Sequence, residues 1–314
     1  MSREDAMHGD GLDRRSLLRA GGLTVAAGFL APISHALPAH AADDGEPELG
    51  TMAVCAGNPY VSRAWVGESG WDLRHRTGWN GQLGVHGGRH SEQFNATFHD
   101  RCNTWLQNLD AIARISRPST STSWGIQWLG DIGAGVCKTG QHGTGRALDI
   151  SRVQWDGGYV DLNKHWRGPE TRVVKRRYLA VVASCRRYFR NVFTAWYDTD
   201  GSHVNHVHVD DGGNNSGGTN IRTGHKGDTT IVQAAARYLG VNSDIVLDGI
   251  WGPITQSAYN TLMSRFKMTT GSGGCQTYNP LSSTADMKVF LRYVIRNAIA
   301  DQNAGYYHAP TTDC

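Results

Sequence analysis

Three absences shape the reading of this sequence. It has no C-x-x-C pair, no apolar run of the ~20 residues that a membrane-spanning helix needs, and almost no net charge: 31 Lys and Arg against 28 Asp and Glu leave +3 over 314 residues. The first argues against a thiolate metal site. The second argues against a stable membrane anchor, and the third is too mild to imply a nucleic-acid partner on charge alone. Aromatic residues are not scarce: ten Trp, eleven Tyr and seven Phe exclude disorder as the main state. The surplus lies in glycine (39) and histidine (14), a composition of loops and ligands.

The first residues read as an address. Arg14-Arg15 followed by Ser16-Leu17-Leu18 leads into a run of apolar and small residues from Ala20 to Leu30, and Ala39-His40-Ala41 is an A-x-A cleavage pattern. Residues 1–41 are therefore expected to be an export signal of the twin-arginine type, leaving a secreted or wall-associated protein. All six cysteines, at 55, 102, 137, 185, 275 and 314, follow it. An even count in an oxidising compartment predicts three disulfides, with Cys275–Cys314 the preferred pair.

Residues 211–227, rich in Gly, Asn and Ser, have the composition of a linker. They separate a mixed region, 42–210, from a helical one, 228–314. In the second region Ile231, Val232, Ala235, Ala236 and Leu239 recur at helical spacing, then Ala258, Leu262 and Phe266, then Met287, Phe290, Leu291, Val294, Ile295 and Ala298. These stripes predict a three-helix module. The turn Asp248-Gly249-Ile250-Trp251-Gly252-Pro253 between its first two helices resembles that of the peptidoglycan-binding modules of bacterial wall hydrolases. The resemblance implies tethering to the wall.

In the first region, helical patterns run through Trp105, Leu106, Leu109 and Ile112 and again through Tyr178, Leu179 and Val182. Two histidine segments carry the chemistry. In Gln141-His142-Gly143-Thr144-Gly145 the glycines disfavour an α-helix. In Ala147–Ser151, alternation turns Leu148 and Ile150 to one face and Asp149 to the other. In His203-Val204-Asn205-His206-Val207-His208-Val209, a strand would bury the valines and present His206 and His208 together. Imidazoles and a carboxylate suit Zn²⁺, and three protein ligands leave an open fourth position, the arrangement of a catalytic site.

The joint pattern H-x-x-G-x-A-x-D then H-x-x-H-x-H resembles the zinc D-Ala-D-Ala carboxypeptidases and related wall-peptide metallopeptidases. The resemblance covers roughly residues 110–211 and implies His142, Asp149 and His208 as zinc ligands, with His203 and His206 lining the site as catalytic residues. Strand geometry alone does not separate His206 from His208 as the ligand. Two departures stand out. The family's acidic general base falls on Asn205, which takes no proton at neutral pH, and His203 is the substitute. The stretch Ser123–Trp128 lacks the family's carboxylate-binding arginine; Arg114, Arg117 and Arg146 are the candidates.

The expected protein is thus α+β: a small, mainly antiparallel sheet carrying a zinc site and flanked by helices, followed by the helical module. Its expected partner is peptidoglycan, as a peptidase substrate. Two alternatives remain: a non-catalytic wall-binding protein with a degenerate zinc site, and a secreted metal-dependent nuclease or phosphoesterase. Against the latter, no two-metal carboxylate set is visible, and Lys175-Arg176-Arg177 reads as the solvated face of a helix.

Overall fold

The computed structural model describes residues 63–64, 72–76, 86–89, 93–115, 125–133, 140–155, 158–197, 201–213, 217–274 and 276–300. All fall within one compact unit, Asp44–Cys314. The expected signal, and Arg117, Trp124, Cys55, Cys137, Cys275 and Cys314, lie outside the described residues.

The elements run β1 (Arg63–Ala64), β2 (Asp72–Arg76), β3 (His86–Arg89), β4 (Gln93–Phe94), α1 (Ala96–Ile115), β5 (Ile126–Gly133), β6 (Ala147–Trp155), β7 (Gly158–Asp161), α2 (Arg172–Tyr188), β8 (Asn191–Phe193), β9 (Val207–Asp210), α3 (Lys226–Tyr238), α4 (Pro253–Arg265) and α5 (Thr284–Ile299). The class is α+β. Seven strands form one sheet in the order β3-β2-β5-β6-β9-β8, with β7 also on β6, and β1 pairs with β4 apart from it. Every pairing is antiparallel except β2 with β5.

Strand β6 organises the site. One edge pairs with β5, while the other carries β9 opposite residues 147–150 and β7 opposite residues 152–155. The apolar faces of these strands join one core with the helices: Leu148, Ile150, Val207 and Val209 are fully buried alongside Trp105, Tyr178 and Leu179. Burying side chains of this size stabilises by roughly 1.5–3 kcal/mol each. Helix α2 packs against α1, α3 and α5 and against β7 and β8. Its start is capped by Thr171, whose hydroxyl accepts from the Val174 N–H. Trp105 of α1 donates its indole N–H to Ser184 of α2 at 2.8 Å.

The three helical stripes after residue 228 correspond to α3, α4 and α5. The D-G-I-W-G-P turn is organised by Gln233 of α3, whose side chain donates to Asp248 Oδ1 (2.8 Å) and accepts from the Gly249 N–H (3.0 Å). Gly249 has φ +70°, a backbone that suits glycine, and Pro253 opens α4 at a position where no N–H is needed.

The segment expected as a linker packs closely over its second half. Ile221 is buried, and its N–H donates to Pro280 O at 2.9 Å. Asn220 donates to Leu281 O at 2.6 Å. Composition suggested a linker, because polar residues held by backbone carbonyls leave no hydrophobic pattern. The disulfide expectation is also revised: Cys102 on α1 and Cys185 on α2 are buried free thiols. No helix among the described residues is long and apolar enough to cross a membrane.

Candidate metal centre

The face of the β6–β9–β8 ladder opposite the apolar core carries the histidines. Asp149 stands directly across the ladder from His208, and His208 from Phe193. His142 reaches this face from a single 3₁₀ turn, His142–Thr144, closed by the Gly145 N–H donating to His142 O at 2.9 Å. Gly145 has φ +62°, and a Cβ there would sit 2.8 Å from the Asn95 N. That nitrogen donates to Gly145 O, so glycine lets the turn lie against the start of α1.

Three donor atoms converge. His142 Nε2 lies 3.2 Å from Asp149 Oδ1 and 3.2 Å from His208 Nδ1, while His208 Nδ1 lies 2.8 Å from Asp149 Oδ1. Zn²⁺ at ~2.0–2.1 Å from tetrahedral ligands spaces those ligands about 3.3 Å apart. The observed triangle is of that size, so the residues fit the ion. His206 also meets the carboxylate, with Nε2 at 3.4 Å from Asp149 Oδ1. His203, His206 and His208 form a second group whose donor atoms lie within 4.8 Å of one another.

A family described as extensin-like protein C-terminus matches residues 133–219. No curated protein matches the chain, and no solved structure does. The extensin-like segment holds His142, Asp149, His203, His206 and His208 together and covers less than half of the chain.

Within that segment lies a residue that the pattern reading missed. Asp210 follows His208 by two positions, so a strand sets both on one face. Its Oδ2 lies 3.2 Å from His208 Nε2, and its Oδ1 accepts from Asn191 Nδ2 (2.8 Å) and the Gly212 N–H (2.7 Å). Accepting the Nε2 proton leaves the His208 Nδ1 lone pair facing Asp149 and His142, as a carboxylate behind a ligating histidine usually does. The period of two was the available signal. Asn205 was also underread: its Oδ1 lies 2.6 Å from His206 Nδ1, which fixes the imidazole with Nε2 turned toward Asp149.

Electrostatics follow from this packing. Burial disfavours charge on His208, yet its bonds to Asp149 and Asp210 outweigh that and push its pKa up to about 9. Burial likewise opposes ionisation of Asp149, and His142 and then His206 hold it well below the usual carboxylate range. Asp210 is also held low, burial being outweighed by His208. His203 stands beside the cluster, its ring 5.4 Å from His206 and 5.5 Å from His208 and tilted over Phe193 at 5.1 Å. Of the candidate arginines, Arg114 pairs with Asp110 at 2.6 Å, and Arg146 faces the fully buried Asp211 at 3.3 Å.

Proposed function

We propose that the protein is an exported, zinc-dependent peptidase that hydrolyses peptidoglycan stem peptides. The observation that carries this reading is the triangle of His142 Nε2, Asp149 Oδ1 and His208 Nδ1, with edges of 2.8–3.2 Å. In it, His142, Asp149 and His208 hold the ion. Zinc bound there supplies Lewis acidity, polarising a scissile carbonyl and lowering the pKa of water toward ~7.

The remaining roles belong to the chain. Asp210 orients His208 through Nε2, and Asn205 orients His206 through Nδ1. His203 accepts the proton from the attacking water and passes it to the leaving amine, because Asn205 has no proton to exchange at neutral pH. His206 lines the site beside Asp149. The α3–turn–α4 segment tethers the protein to the wall and raises the local substrate concentration.

A second reading, a wall-binding protein whose metal site does not turn over, is favoured by one observation: the side chain at the family's general-base position, Asn205, is engaged with His206. The test incubates purified mature protein, with and without added zinc, with peptidoglycan and with peptides ending in D-Ala-D-Ala. Released fragments are identified by mass spectrometry, with His142→Ala as control. Zinc-dependent release lost in the variant supports the peptidase, whereas a folded, zinc-loaded protein that cleaves nothing supports the binding protein.

A further inference from the structure

A cleft of about 580 Å³ opens between the loop preceding α2 and the end of α3, its walls including Trp166, Trp196, Arg167, Arg172, Lys175 and Arg237. Its size is that of small-molecule sites, roughly 300–1,000 Å³. Four side-chain cations face it against a single carboxylate, Glu170. Among the described residues none of the four forms a salt bridge. Lys175 Nζ donates to Arg167 O at 2.7 Å, and Arg172 Nε donates to Tyr238 O at 3.0 Å.

This concentration of charge works against the fold. Arg172 and Lys175 sit in the first turn of α2, where the helix dipole already presents its positive end, and no acidic residue occupies that turn. Lys175 is itself only 9% exposed. A bound anion would relieve both burdens, and the backbone N–H groups at a helix start are suited to accept it.

Three aromatic residues share the rest of the lining with Gly168, Gly240, Ser243 and Leu247. Trp196 is 5% exposed, and its indole N–H has no hydrogen-bond partner. Trp166 is held rigidly, its indole N–H shared between Asn163 O (3.1 Å) and Val204 O (2.8 Å). Tyr238 completes this side, with its ring 6.1 Å from that of Trp196. An indole face carries negative electrostatic potential, which suits the C–H face of a pyranose ring.

We propose that this cleft binds an anionic sugar, the carboxylate or phosphate lying among Arg167, Arg172, Lys175 and Arg237 and the ring against the part-exposed Trp166 and Tyr238. Arginine forks pair with either group in bidentate fashion. The site shares no residue with the metal centre and does not rest on the peptidase reading.

The experiment titrates purified protein with glucuronic acid, glucose 6-phosphate, glucose and inorganic phosphate, followed by calorimetry and ligand-observed NMR. At least one charged sugar is expected to bind about tenfold or more tightly than glucose, and which of the two binds better distinguishes a carboxylate from a phosphate source. Arg167→Glu with Arg237→Glu, both exposed positions, should abolish binding while leaving the circular dichroism spectrum unchanged. Binding should weaken as salt shortens the screening length from about 30 Å to about 8 Å. Equal binding of glucose, inorganic phosphate as tight as the sugars, no binding at all, or indifference to charge reversal would each overturn the proposal.

Discussion

Asp228 offers the sharpest test of how the helices after residue 228 are joined to the sheet-bearing region. Its carboxylate is 2% exposed and accepts from Arg186 Nε at 2.7 Å and Nη2 at 2.9 Å; Arg186, on α2, is itself 1% exposed. Arg222 adds its N–H at 2.9 Å and its Nε at 3.1 Å. Asp228→Ala would leave the Arg186 guanidinium buried with only the carbonyls of Phe189, Thr219 and Asn220 and the Thr219 hydroxyl as acceptors. Breaking a buried pair in this way costs about 3–5 kcal/mol. At ~2–4 °C per kcal/mol for a domain of this size, the melting temperature should fall by roughly 6–20 °C. Removing both charges in Arg186→Met/Asp228→Leu should recover part of the loss, because the only charge left without its carboxylate is the part-exposed Arg222, which keeps Arg190 O and Asn191 Oδ1 as acceptors.

The pH dependence has a definite sign. Burial opposes charge on Asp228, but Arg186 first, then His225 and Arg222, drive its pKa far below the carboxylate range. A depressed folded pKa contributes stability above the unfolded value of about 3.9 and loses it as pH falls below that. The gap between wild type and Asp228→Ala should therefore be level from pH 5 to 8 and shrink below pH 4. Thermal and urea unfolding followed by circular dichroism provide the readout. A fall in melting temperature of under about 3 °C at pH 7, or a double variant less stable than Asp228→Ala, would refute the reasoning.

Three further outcomes are expected. Asp210→Ala should weaken zinc binding about 10–100-fold in a competitive chelator titration while leaving the fold intact, because it frees His208 Nε2. The His208 pKa of about 9 lies above the unfolded value, so in metal-free protein its pairing with Asp149 and Asp210 stabilises fully below pH ~6.5 and is lost as pH rises through about 9; zinc binding at pH 7 should accordingly release a proton, measurable by calorimetry in buffers of differing ionisation enthalpy. Burial pushes the Cys102 and Cys185 thiols up, so neither should react with a thiol reagent in native protein, and both should react after unfolding in guanidinium.

Much of the candidate site was legible because strands have a period of two. Alternation in Ala147–Ser151 and in Val207–Val209 placed Asp149 and His208 on polar faces, and the ladder sets them opposite one another. The helical stripes were equally readable, since Leu262, Phe290 and Val294 are buried where their spacing implies. Strand β2 was not: Asp72-Leu73-Arg74-His75-Arg76 carries no apolar alternation, and its parallel partner β5 lies some fifty residues away. The cleft was illegible for a similar reason. Its walls come from Trp166–Lys175, Trp196 and Arg237–Leu247, brought together only when α3 packs on α2.

The pairing of Asp149 with His208 has a consequence for folding. A one-residue slip of β9 against β6 would turn His208 toward the core and bring a valine to the polar face. Any cation that needs both residues can therefore bind only to the correctly zipped ladder. It would also tie together two strands separated by nearly sixty residues of chain, much as a covalent clip closes a long loop. Metal occupancy would then serve as a proofreader of strand register, with misregistered chains left unclipped and open to proteolysis.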